Sequence, residues 1–282
     1  MLQRLVFLFL TTSFLLIAGC EMDNSQELLN VSYGADEEQI FDLYLPNNRN
    51  QESTNVIVLV HGGGWVEGDK SEIEGFYDYM VNFSDNYAVV NLNYRLGDLI
   101  ENPIPNQMED IATFIEFFKE EAENYIVNPT FSFFGISAGA HLSMLYSYQF
   151  DVNQDIKVVC NMIGPTDFLH ASYVNATDSV TTEFVSNVEE IIGLPIQGNE
   201  LFYESISPRY FVNDSTVPTI SFYGGEDLFT PEEQGQVLRD ELNNFNRINE
   251  YIIYPDGGHG WGESDTFDTL DRVIEFIDEH IL

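Results

Sequence analysis

Basic residues are what this chain has least of. Ten Lys and Arg stand against 47 Asp and Glu, for a formal net charge of −37 over 282 residues. Phosphate binding needs clustered Lys and Arg, so the deficit excludes nucleic acid as a partner. It equally excludes electrostatic docking on anionic lipid. Cysteine is nearly absent, with only Cys20 and Cys160. Without Cys or His pairs at ligand spacing, no structural zinc is expected. Cys160 lies in the apolar stretch VVCNMI and reads as a small buried hydrophobe. Repeats and low-complexity segments are missing as well. What is present is core material: 44% of residues are apolar and 14% aromatic, which rules out a disordered acidic chain. The length suits one large α/β domain or two small ones. The acidic excess favours solubility and repels polyanionic substrates.

Residues 1–20 read MLQRLVFLFLTTSFLLIAGC. Arg4 begins a short apolar run broken only by Thr11, Thr12 and Ser13, and small residues close it. This is the pattern of a secretory signal, too short and wrongly flanked for a membrane-spanning helix. An uncleaved N-terminal anchor is the alternative. The ending IAGC resembles a bacterial lipoprotein box. That resemblance implies removal of residues 1–19, lipid on Cys20, no intrachain disulfide, and a protein exported and anchored on the periplasmic or cell-surface side of a bacterial membrane. Residues 20–31 are then expected to be the lipidated Cys and a flexible tether, because 21–30 are polar and acidic. Residues 32–282 form the globular domain.

From there the chain alternates strand and helix. QIFDLYL at 39–45 alternates apolar and polar, as an antiparallel strand exposed on one face does. VIVLV at 56–60 is continuously apolar, as a strand buried on both faces is. Further strands are expected at 88–92, 131–134, 157–163, 219–223 and 251–254. Helices are expected at 107–121, 138–149, 231–243 and 266–281. The alternation predicts a mostly parallel sheet with helices on both faces. Residues 168–203 lack a clear period and fall between two strands, so they read as a cap insertion.

Three features converge on one chemistry. The first is Gly135-Ile136-Ser137-Ala138-Gly139, placed between an apolar strand and a helix pattern. This is the context of a nucleophile elbow, a turn so sharp that glycines must flank the serine. The second is His61-Gly62-Gly63-Gly64-Trp65, directly after a buried strand. Consecutive glycines let backbone N–H groups approach a ligand, here the oxyanion of a tetrahedral intermediate. The N–H groups of Gly63, Gly64 (or Gly62) and Ala138 are the candidates. His61 reads as structural, orienting the loop.

The third is a pair to activate Ser137, because a serine hydroxyl needs a histidine to take its proton and a carboxylate to orient that histidine. Among five histidines, His259 is the candidate base, in the Gly-rich loop after the strand at 251–254. His61, His141, His170 and His280 stand in other contexts. Asp227, after the strand at 219–223, is the candidate acid; Glu226 beside it and Asp256 are its rivals. Asp167, at another strand end, reads as loop support. The order Ser137, Asp227, His259 is the nucleophile–acid–histidine order of the α/β-hydrolases.

From about residue 39 to the C-terminus the chain resembles α/β-hydrolase esterases, namely the hormone-sensitive-lipase-like carboxylesterases and the bacterial feruloyl-esterase-like branch. The resemblance rests on HGGGW with a following Gly68-Asp69-Lys70, on Asn93-Tyr94-Arg95-Leu96, on Gly135–Ala140 with His141-Leu142, and on Ser207-Pro208 and Val217-Pro218. It implies an eight-stranded sheet, a small-molecule or carbohydrate ester as substrate (acetyl or feruloyl esters among them), and no metal or organic cofactor. Gly224-Gly225-Glu226 departs from the His-Gly-x that often precedes the acid. The same features also resemble arylformamidases. A peptidase and a non-catalytic binding lipoprotein on a hydrolase scaffold are the other readings. Asp69, Lys70 and Arg95 are expected to form structural ion pairs.

Overall fold

In the computed structural model, which describes residues 24–84, 86–98 and 102–281, the apolar runs form the centre of one eight-stranded sheet. The strands are β1 (Gln26–Ser32), β2 (Ile40–Leu45), β3 (Val56–Val60), β4 (Ala88–Leu92), β5 (Phe131–Ile136), β6 (Ile156–Met162), β7 (Thr219–Gly224) and β8 (Asn249–Tyr254). Their order is β1-β2-β4-β3-β5-β6-β7-β8. The β1/β2 and β2/β4 pairs are antiparallel and all others parallel, so the sheet is mostly parallel, as the alternation predicts.

The helices are α1 (Glu74–Phe83), α2 (Ile104–Tyr125), α3 (Ala138–Leu145), α4 (Ala171–Val174), α5 (Ser179–Ile192), α6 (Glu200–Ser205), α7 (Glu233–Asn244) and α8 (Glu263–His280). Successive strand residues point to opposite faces. Ile57 and Leu59 therefore pack with Tyr77 and Met80 of α1 and with Val273 and Ile277 of α8. Val56, Val58 and Val60 face the other way, toward Phe114 and Phe118 of α2, Leu142 of α3 and Leu238 of α7. Cys160 is fully buried in the first of these layers, and burial pushes its thiol pKa up, so it is inert packing as expected.

Residues 26–31, expected as tether, instead begin β1. The strand sits at the sheet edge and is mostly exposed, so its composition is that of a solvated segment. Its order comes from backbone pairing with β2, which a polar sequence does not advertise. A register shift lies between Leu28 and Val31, where Asn30 takes φ 54° and its N–H donates to Asp42 Oδ1 at 2.7 Å. Bulges of this kind twist an edge away from further pairing. The segment 1–19, expected as a signal, and Cys20 lie outside the described residues. No helix among the described residues is long and apolar enough to cross a membrane.

Helix α1 forms where the sequence carries no capping signal, since it has no side-chain N-cap, and it holds Gly75 inside it. The helix expected at 138–149 ends at Leu145 and loosens into a π-helical turn at Tyr146–Phe150. The insertion 168–203 holds α4, α5 and the start of α6, between β6 and β7.

Candidate active site

The elbow is built as its glycines dictate. Ser137 stands between β5 and α3 at φ 54° and ψ −118°, a backbone strain of the sort that concentrates at functional sites. A Cβ on Gly135 would strike the backbone of Gly139 and Ala140, and one on Gly139 would strike the carbonyl oxygens of Val60 and His61. The turn is thus closed only because both positions are glycine.

Around it the structure assembles a hydrogen-bonded chain from three strand ends. The Ser137 hydroxyl lies 3.0 Å from His259 Nε2. His259 Nδ1–H donates to Asp227 Oδ2 at 2.8 Å. The other oxygen, Asp227 Oδ1, accepts the N–H groups of Phe229 (2.8 Å) and Thr230 (3.0 Å). Its carboxylate is completely buried, while the His259 ring is 30% exposed. Bonds at both carboxylate oxygens fix the side chain, and the side chain fixes the tautomer that leaves Nε2 free to accept a proton.

The rivals are not brought to the histidine. Glu226 and Asp256 are exposed on their turns. Asp167 is buried against Arg209 at 2.7 Å and supports its loop. The departure at Gly224 has a packing reason. A Cβ there would meet the carbonyl oxygens of Gly257 and Gly258, and the Glu226 N–H donates to Gly257 O at 2.8 Å. Only glycine lets the acid turn lie directly on the histidine loop.

The glycine loop faces the same serine. Gly63 (φ 106°), Gly64 (φ 58°) and Trp65 (φ 68°) all take left-handed backbone. A Cβ on Gly63 would enter the Glu67 carbonyl, whose N–H closes the turn onto Gly63 O at 2.9 Å. The N–H groups of Gly63, Gly64 and Ala138 take no protein partner among the described residues. Gly62 is instead packed against the elbow, its carbonyl taken by His61 Nδ1–H at 2.7 Å. His61 is buried and stacked on Tyr94 at 4.4 Å, so it is structural, and burial lowers its pKa.

Trp65 links loop and elbow. Its Nε1–H donates to His141 Nδ1 at 3.1 Å, and His141 Nε2–H donates to Ile206 O at 2.7 Å. Both ring nitrogens are thereby committed, and burial drives the His141 pKa down to about 4. The sign follows from linkage. Between pH 6.5 and about 4 the unfolded chain takes up a proton that the folded one refuses, so stability falls as pH falls through that window. The loss attributable to this ring approaches about 3 kcal/mol. Urea titrations at pH 7 and pH 4.5 are expected to show a loss about 2 kcal/mol larger in wild type than in His141→Gln. Equal losses would remove His141 as the cause. His170 caps α4 and His280 packs on Phe276.

Of the three residues expected in structural ion pairs, Lys70 and Arg95 form them, whereas Asp69 is held by hydrogen bonds. Lys70 pairs with Asp42 at 2.5 Å, and Arg95 pairs with buried Asp110 at 2.5 Å. Asp69 accepts from Ser71 N–H and from Asn93 Nδ2–H, which lowers its pKa to about 2.

Two cavities meet at Ser137 and His259. One, of about 530 Å³, lies under α5 and is walled by Phe184, Val188, Ile191 and Phe229 opposite Gly63 and Gly64. The other, of about 360 Å³, opens on the opposite side between Phe76, Ile136, Met162 and Trp261. Phe184, Val188 and Ile191 were not singled out in the sequence. Their signal was present: Asp178 caps α5, Gly193 ends it in left-handed backbone, and apolar positions recur at 181, 184, 185, 188, 191 and 192 if Thr181 is counted among them. Two hydroxyls of this insertion hold the acid loop, Thr181 Oγ1 donating to Leu228 O (2.7 Å) and Tyr173 Oη to Phe229 O (3.2 Å). Among the described residues no cluster of three His, Cys, Asp or Glu side chains is placed to hold a metal.

Residues 41–242 match the model of one family, BD-FAE. The chain belongs to the BD-FAE family. The match spans Ser137 and Asp227 and stops short of His259. Among curated proteins the chain is similar to an isoprenylcysteine alpha-carbonyl methylesterase of Arabidopsis thaliana, 24% identical over 96% of this chain and 67% of that protein. It is also similar to an arylacetamide deacetylase of Bos taurus, 27% identical over 41% of this chain but only 30% of that protein. The chain thus spans two thirds of the first relative's length and under a third of the second's. Among solved structures it resembles a truncated carbohydrate esterase from gut microbiota, with a TM-score of 0.76 at 22% identity, covering 90% of this chain and 95% of that one. That likeness is one of fold, and the fold of this BD-FAE member is that of the α/β-hydrolases. Esterases stand among the proteins it is similar to, and the activity class they support is an esterase-type hydrolase.

Proposed function

We propose that the protein is a serine carboxylesterase acting on short-acyl or aromatic-acyl esters, including esters on carbohydrate. The observation that carries this reading is the chain Ser137–His259–Asp227, with bonds of 3.0 Å and 2.8 Å, opening between two cavities. Ser137 Oγ attacks the ester carbonyl carbon while His259 Nε2 takes the hydroxyl proton. Charge collects on the carbonyl oxygen, where the N–H groups of Gly63, Gly64 and Ala138 receive it as an oxyanion hole. The C–O bond to the alcohol then breaks, and His259 returns the proton to the leaving oxygen. Asp227 stabilises the imidazolium in between. Water, deprotonated by His259, attacks the acyl-serine; the bond from the acyl carbon to Ser137 Oγ breaks, His259 returns the proton to Oγ, and the acid leaves. On the strength of its first twenty residues, we place this chemistry outside the cytoplasm, on a protein tethered through lipid on Cys20.

The test is a panel of p-nitrophenyl acetate, butyrate and octanoate with the purified protein, alongside labelling by a fluorophosphonate. The expected result is turnover of the short esters and a single label on Ser137. Octanoate turnover then reports how long an acyl chain the cavity of about 530 Å³ beside α5 admits. A folded protein that takes no label and cleaves none of them, or one that cleaves N-formyl aromatic amides instead, would overturn the proposal.

A further inference from the structure

The N–H groups that would receive the oxyanion come from two separate segments. Gly63 and Gly64 ride on the loop after β3, and Ala138 opens α3. At their roots the two segments touch through backbone: Gly62 lies against Ile136 O, and Gly139 lies against the carbonyls of Val60 and His61. The tip of the loop is joined to α3 by a side-chain bond, from Trp65 Nε1–H to His141 Nδ1 at 3.1 Å. His141 stands one turn after Ser137, its backbone N–H donating to Ser137 O at 3.0 Å. Its Nε2–H is taken by Ile206 O at 2.7 Å, so Nδ1 is left as the acceptor that meets the indole. The Trp65 and His141 rings stand edge to face at 5.3 Å with Phe168 beside both, and both side chains are shut away from solvent.

Trp65 is also a bulky residue at φ 68°, a backbone region that such side chains avoid. Three bonds keep it there. Its carbonyl accepts the Gly97 N–H at 2.9 Å and Gln107 Nε2–H at 2.7 Å, and its indole is held by His141. Strain of this kind persists only where the surroundings over-determine it. We propose that Trp65 and His141 are positioning residues of the oxyanion hole, their bond fixing the tip of the glycine loop relative to Ala138 so that N–H groups from two segments converge on one oxygen. The inference rests on the esterase reading above and adds to it what aligns the hole. Preorganised donors stabilise a transition state because they need no realignment as charge develops. A loop tip free of α3 has to be realigned at every turnover.

Three substitutions test the bond. Trp65→Phe removes the indole N–H and keeps a ring against His141 and Phe168. His141→Met removes the acceptor. His141→Gln restores it, because an amide oxygen and nitrogen stand in for Nδ1 and Nε2. On p-nitrophenyl butyrate, Trp65→Phe and His141→Met are each expected to lower kcat roughly tenfold or somewhat more, less than outright loss of a donor, with KM within about twofold. The Trp65→Phe/His141→Met double variant is expected to lose no more than the worse single one, because both remove the same bond. His141→Gln is expected within about threefold of wild type. In a Ser137→Ala background, Trp65→Phe is expected to lower further the residual hydrolysis that outlives the nucleophile, which a disturbed triad does not do. Thermal melts on the same samples report folding separately, and Trp65→Phe carries the test if His141→Met does not fold. Wild-type kcat in Trp65→Phe, losses that multiply in the double variant, or a loss confined to KM overturns the inference while leaving ester hydrolysis intact. A wild type that cleaves no ester overturns the esterase reading instead, and the positioning role falls with it.

Discussion

Replacing Ser137 by alanine is expected to lower kcat on p-nitrophenyl acetate by about 10⁴- to 10⁶-fold, the range set by loss of a nucleophile whose partners then have nothing to activate. The fold is expected to survive. Alanine meets the same backbone demand at φ 54° and ψ −118° as serine does. The hydroxyl's bond to His259 lies at the mouth of two cavities rather than in the core. The elbow itself is held elsewhere, by the Ser137 N–H on Met162 O at 2.8 Å and by the tight fit of Gly135 and Gly139. Stopped-flow turnover and a thermal melt on the same sample separate the two effects. Wild-type-like turnover in Ser137→Ala would remove the serine from the mechanism.

Asp227→Asn is expected to cost about 10⁴-fold in kcat with little change in KM. The reason is directional. Asp227 Oδ1 accepts two backbone N–H groups, so an asparagine must keep its carbonyl oxygen there and turn its amide nitrogen toward His259 Nδ1. The ring then becomes an acceptor at Nδ1 and carries its proton on Nε2, where it no longer takes the one from Ser137. Glu226→Gln and Asp256→Asn are expected to stay within about twofold of wild type, because both side chains are exposed and neither touches the histidine. Steady-state kinetics on the three variants checks the assignment. A Glu226→Gln loss as large as that of Asp227→Asn would move the acid by one residue.

The site was legible where its requirements are local. Ser137 needs glycines before and after it for one tight turn, the oxyanion candidates need glycines for positive φ, and His259 needs a loop at a strand end. Each requirement is written within five or six consecutive residues. Lys70, Arg95 and His61 were legible in kind but not in partner: Asp42 and Asp110 lie 28 and 15 residues away in sequence from Lys70 and Arg95. Strand β1 was illegible because an exposed edge strand is held by backbone hydrogen bonds to β2, and its side chains carry no apolar period. Helix α5 carries its caps and its stripe in the sequence, but only the tertiary structure places Phe184, Val188 and Ile191 beside Ser137.

Legible from local pattern alone are the parallel sheet, the strand–turn–helix around Ser137, the glycine loop of Gly63 and Gly64, and the choice of His259 as candidate base among five histidines. These follow from side-chain periodicity and from φ values that only certain residues adopt. The tertiary structure decided what depends on distance between remote segments. It chose Asp227 over Glu226 and Asp256 by burying one carboxylate against His259 Nδ1 and exposing the others. It showed that Gly224 must be glycine because the acid turn rests on the carbonyls of Gly257 and Gly258. It divided the surroundings of Ser137 into two cavities, one beside α5 and one between Phe76, Ile136, Met162 and Trp261. Contacts across the sheet edge are set by packing of whole elements, and no local pattern records them.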